Sequence, residues 1–135
     1  MSRETEIEEL AALVLDAINR RDPDALIALA HPEYEFRSQL VRVEGTVYTG
    51  PTGFHTWLHD LGETFMELSW ELEEIIDAPG DDFVLVVRFT AVGRESGVPF
   101  DGLTFQVWTL RDGKPFSNIV YASKADAFEA VGLSG

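Results

Sequence analysis

The chain has 135 residues, 45% of them hydrophobic and 25% charged, with 9 phenylalanines, 3 tryptophans and 3 tyrosines. That length suits one domain spanning residues 1–135 that buries roughly two-thirds of its unfolded surface, and the composition excludes a disordered or collagen-like chain. A formal net charge of −14 repels phosphate backbones and anionic lipid, so neither nucleic acid nor a membrane is an expected partner, and the absence of cysteine excludes disulfides and thiolate chemistry.

The chain opens on acidic residues (Glu4, Glu6, Glu8, Glu9) where a secretory leader would be basic and then apolar, and no run of roughly 18 apolar residues follows. A cytoplasmic location is therefore expected. Thr5-x-x-Glu8 matches a capping box, and Ile7, Leu10, Ala11, Val14 and Ile18 recur at helical spacing, predicting a first helix over about 5–19. Asp22-Pro23 sets a capping acid before a proline at the first helical position, and His31-Pro32 stops the short helix that follows, over 23–30. From Tyr34 to Tyr48 the pattern is strand-like, with a change of parity around Glu44-Gly45 that predicts two strands or a bulge. Gly50-Pro51 opens a third helix with Phe54, Trp57, Leu58, Leu61 and Phe65 on one stripe.

Four antiparallel strands are predicted beyond it, over about 69–77, 82–94, 98–110 and 115–122. Turn signals at Pro79-Gly80, Ser96-Gly97 and Asp112-Gly113 separate them, the last suited to a type I′ hairpin. Ser123-x-x-Asp126 caps a short final helix that ends near Gly132. Helices at the front and a meander at the back predict an α+β domain with helices on one face of a strongly curved sheet.

Phe83 to Phe89 is apolar on both parities, so the outer face of the sheet also needs a cover. On the next strand Leu103, Phe105 and Val107 share one parity, while Thr104, Gln106, Trp108 and Leu110 share the other, a mixture that suits a subunit contact. A homodimer through the outer sheet face is expected, the alternative being cover by neighbouring side chains. The scattered acids read as a solvated, mutually repelling surface or as a face for a cationic ligand.

This order of elements, with Tyr48-x-Gly50 ahead of the third helix, Val107-Trp108-Thr109-Leu110-Arg111-Asp112-Gly113-Lys114 on the last hairpin and Ala127-Phe128-Glu129-Ala130-Val131-Gly132-Leu133 at the end, resembles the SnoaL-like branch of the NTF2-like superfamily. The resemblance implies a cone: a strongly curved antiparallel sheet wrapped around three N-terminal helices, with an apolar hollow between them and a short C-terminal helix. It implies a small hydrophobic molecule as ligand. The superfamily includes ketosteroid isomerases, polyketide cyclases, an epoxide hydrolase and members that only bind or associate, and fold analogy does not choose among them. From the isomerase pattern, Val14, Phe36, Ser38, Trp57, Leu61, Phe105 and Asn118 would face the hollow, with ordinary core packing as the alternative for each apolar one. The isomerase's carboxylate base falls on Ser38 and its oxyanion donors on Val14 and Phe105, while the acid of the cyclases falls on Ser123, which has its own work as a helix cap. No mechanism of the family transfers, and no cofactor or metal is expected.

Any chemistry would need other residues. Arg88 lies in the most apolar strand and calls for a carboxylate or a polar ligand, and Glu74 shares a parity with Trp70 and Leu72 and could supply it. Asn118 could donate to a carbonyl, and Tyr34 could donate as well. A cofactor-free isomerase, cyclase or hydrolase would require Glu74, Arg88, Asn118 and Tyr34 to converge; an association module would fill the cone with its own side chains. His55 and His59 stand four apart with Glu63 next in the row, a metal spacing that lies beside the apolar stripe and reads as a solvated face.

Overall fold

A computed structural model describes residues 3–38, 47–121 and 123–133, the side chain of Ser38 excepted. The elements run α1 (Arg3–Asn19), α2 (Pro23–Leu29), β1 (Glu35–Ser38), β2 (Tyr48–Thr49), α3 (Gly50–Thr64), β3 (Phe65–Asp77), β4 (Asp82–Gly93), β5 (Pro99–Arg111), β6 (Lys114–Tyr121) and α4 (Lys124–Ala130). The strand signals predicted between Leu40 and Glu44-Gly45 lie outside the described residues. Among the described residues no helix is long and apolar enough to cross a membrane.

The six strands form one curved, unclosed sheet in the order β2-β1-β6-β5-β4-β3. β1 runs parallel to β6, and every other pairing is antiparallel. The alternation along β4 sorts the two faces. Phe83, Leu85 and Val87 join the main core with Ile7, Ala11, Val14, Leu15 and Ile18 of α1, Leu26 of α2, and Phe54, Trp57 and Leu58 of α3. Val84 turns the other way, onto a second cluster with Val107 and with Ala127 and Val131 from the C-terminal segment. The doubly apolar strand thus has its cover from inside the chain: α4 closes part of the outer face.

Local chemistry fixes the ends of these elements. Asp22 caps α2 by accepting from the Ala25 N–H at 3.1 Å, and the Ser123 hydroxyl caps α4 by accepting from the Asp126 N–H at 3.1 Å. Thr5, expected as a cap, sits inside α1, which is already helical at Arg3. Tertiary contacts anchor that first turn, because the Arg3 guanidinium donates to the carbonyls of Gly80 (2.7 Å) and Asp82 (3.0 Å) in the β3–β4 hairpin. Asp112 and Gly113 both take positive φ, 55° and 74°, as a two-residue type I′ turn requires. The edge strand β3 is blunted by the end of α1: the Asn19 amide accepts from the Trp70 N–H and donates to the Trp70 carbonyl, both at 2.8 Å. Asn19 acts there as a short substitute for a seventh strand.

Candidate functional site

Where the three front helices meet the start of β6 there is a cavity of about 10 Å³, lined by Val14, Ile18, Leu26, Trp57, Tyr34 and Asn118 with their apolar neighbours. That is room for about one water molecule. Tyr34 is stacked on Phe54 at 4.8 Å, and Trp57 packs on Phe36 at 4.7 Å and edge-on to Trp70 at 5.6 Å, so three aromatic rings, Tyr34, Phe54 and Trp57, form one part of a wall that is otherwise mostly aliphatic.

Behind this wall runs a chain of polar side chains on the inner face of β5 and β6. Thr104, Gln106 and Asn118 are 3%, 0% and 2% exposed, the three buried polar residues of the described chain. The Thr104 hydroxyl donates to the Val87 carbonyl at 3.0 Å, and the Gln106 amide donates to Thr104 Oγ1 at 3.3 Å. Gln106 Oε1 accepts twice, from Trp108 Nε1 at 3.0 Å and from Asn118 Nδ2 at 3.2 Å. Asn118 Oδ1 is left without a partner among the described residues, as is Trp70 Nε1. A buried, unpaired acceptor costs on the order of 1–3 kcal/mol, so it needs a water, a ligand or another reason to be there.

Tyr34 completes the constellation. Burial pushes its phenol well above the ordinary tyrosine value, and a hydrogen bond with the Asn118 amide offsets part of that rise. At neutral pH it is therefore a protonated donor and not a base. It is also the one titratable group among the residues that line the cavity.

The positions expected from sequence divide between two faces. Val14, Trp57, Tyr34 and Asn118 border the cavity, Phe36 lies in the core beside Trp57, and Leu61 packs against that core half-buried. Ser38 ends β1 opposite Val120, its side chain lying outside what the structure describes. Phe105 is on the outer face, against the cluster that α4 covers. The mixed parity of Thr104, Gln106 and Trp108, expected at a subunit contact, is the buried inner one. Mutual hydrogen bonds explain this correction, since three polar heads that satisfy one another can enter a core.

Glu74 and Arg88 stand on the outer face as well, so the four candidates for chemistry do not converge. The cause in Glu74 is a β-bulge. Leu72 pairs with Val87 but Glu74 pairs with Val86, so Glu73 is an extra residue that reverses the alternation and turns Glu74 away from Trp70 and Leu72. Arg88 is held by Glu73 at 2.9 Å and Asp101 at 2.8 Å on that outer surface. His55 and His59 are exposed on α3, where His59 faces Glu63 at 3.1 Å. The signal that sequence reasoning missed was the run of donors and acceptors at Thr104, Gln106 and Trp108, spaced two apart on one strand face.

Solved structures share this architecture. An NTF2-like protein of unknown function from Burkholderia pseudomallei K96243 superposes with a TM-score of 0.75 at 15% identity, over 97% of this chain and 98% of that one. A provisional SnoaL-like polyketide cyclase from Jannaschia sp. CCS1 gives 0.72 at 17% identity, over 97% and 94%. TerC, co-crystallised with polyporic acid, gives 0.74 at 19% identity, over 93% and 97%. At such identities the likeness is one of fold. No curated protein matches the chain. The model of the SnoaL-like domain family, however, matches residues 11–117, from the middle of α1 into β6. Since that match takes in most of the chain and both walls of the cone, the chain belongs to the SnoaL-like domain family.

Proposed function

We propose that the cone of this SnoaL-like domain binds a small, largely hydrophobic molecule, oriented by one polar contact at Asn118. The observation that carries this reading is the buried, unpaired Asn118 Oδ1 beside a cavity walled mostly by aliphatic and aromatic side chains. The cocrystal of TerC with polyporic acid is consistent with a fold that admits such molecules. Ligand pockets usually run to some 300 Å³ or more, so entry has to displace side chains from the present filling. Binding, not turnover, is the reading favoured, because Tyr34 is the lining's titratable group and stays protonated. A homodimer through the outer sheet face is proposed with it, supported by Leu103, which is 42% exposed beside the half-buried Phe105.

A second reading, an association module with a filled cone, draws on the small size of the described cavity. Thermal unfolding separates the two. A panel of hydrophobic ketones, lactones and fatty acids should raise the midpoint by several degrees for at least one member at concentrations well above its Kd, and Asn118→Leu should reduce that gain. A flat response across the panel favours the filled cone.

A further inference from the structure

The hydrogen-bonding sense of the polar chain is fixed from both ends. The indole N–H of Trp108 can only donate, so the Gln106 atom it meets at 3.0 Å is the amide oxygen. That same oxygen meets the Asn118 amide at 3.2 Å, which requires the nitrogen of Asn118 on this side and its oxygen on the other. At the far end the Val87 carbonyl can only accept. Thr104 therefore gives its proton to Val87, at 3.0 Å, and has only a lone pair left for the Gln106 nitrogen, at 3.3 Å. Neither amide can turn over without placing like against like inside a buried network.

We infer that Gln106 is a positioning residue that locks Asn118 with its oxygen unpaired, so that the cavity prefers a ligand with a hydroxyl donor over the matching ketone. The inference rests on the cavity-binding reading and adds the chemistry of the ligand's polar group. A hydroxyl can donate to Asn118 Oδ1 and accept from the Tyr34 phenol, whereas a carbonyl can only accept and leaves Asn118 Oδ1 bare. Leaving a buried polar group unmatched is the device by which protein sites reject analogues most strongly.

Two tests are independent. In the ligand-free protein, Trp108 Nε1–H and the Asn118 amide protons point at one oxygen, so a strong NOE between them is expected; its absence would overturn the inference. In titration calorimetry the probes are 2-tetralol and 2-tetralone, nearly equal in size. The wild type should bind the alcohol about tenfold tighter. In Gln106→Leu the amide of Asn118 is free to turn and the ratio should fall toward one. In Gln106→Glu a carboxyl that burial keeps protonated can accept from both neighbours through one oxygen and donate to Thr104 through the other, and the preference should persist. Equal affinities in the wild type, or an unchanged ratio in Gln106→Leu, would overturn the inference even if both compounds bind. Failure of both to bind while the NOE is present would instead sink the cavity-binding reading and leave the locked amide standing.

Discussion

At the scale of single residues, burial governs the tyrosines. All three are raised above the ordinary value: Tyr34 by burial, Tyr48 to about 12 by burial and by its hydrogen bond to Asp60 at 2.8 Å, and Tyr121 by burial and the nearby Asp126. A phenol whose pKa is higher in the folded state favours folding below its unfolded value, near 10, and that contribution is lost as pH rises through the folded value. Absorbance near 295 nm should therefore show tyrosine ionisation displaced above about pH 10 while the fold persists, with Tyr34 still protonated there and stability declining above it. A full ionisation step at pH 10 in native protein would contradict the burial of Tyr34. Tyr34 and Asn118 were within reach of sequence because a phenol just ahead of β1 and an amide inside β6, beside Ile119 and Val120, stand out. Gln106 was not, since only the register shows that its neighbours Thr104 and Trp108 share its bonds.

Elements were legible wherever a local code sets them. The helical periods of α1 and of α3 as far as Leu61, the Asp22 and Ser123 caps and the Asp112-Gly113 turn formed as their residues dictate, whereas Phe65, expected on the α3 stripe, is extended and opens β3. Two features were not local. The bulge at Glu73 depends on how β3 and β4 pair, and no residue of β3 announces it, which is why simple alternation grouped Glu74 with Trp70 and Leu72. Phe105 was misplaced for a similar reason: its own parity is apolar enough for a core, and the choice was made by the buried polar chain on the opposite parity. The capping account is testable in urea. Ser123→Ala should cost about 1 kcal/mol by loosening the helix that covers Val84 and Val107. Gly53→Ala in α3 should cost roughly 1–3 kcal/mol, because the added Cβ would lie 2.8 Å from the Tyr48 carbonyl carbon, a backbone atom that cannot step aside. Wild-type midpoints for either variant would show that these contacts are dispensable.

For the whole molecule, a net charge of −14 makes self-repulsion the dominant surface force. The ion pairs that salt would weaken are exposed ones, such as Arg20 with Asp16 and Arg3 with Asp77, and contribute little. Screening should then relieve more repulsion than attraction, and the unfolding midpoint should rise between low salt and about 0.2 M, where the screening length falls below 10 Å. A falling midpoint would mean that the pairs matter more than the excess charge.

The same scale holds the central claim, that an apolar hollow between helices and sheet receives a molecule which bonds to Asn118. A high-resolution crystal structure of the protein soaked with 2-tetralol tests it most directly. The account predicts density between α1, α3 and β6, with the hydroxyl at hydrogen-bond distance from Asn118 Oδ1 and the rings against Trp57. An interior that stays closed, with a water alone on Asn118 Oδ1 or the alcohol seated only on the outer sheet face, would contradict it.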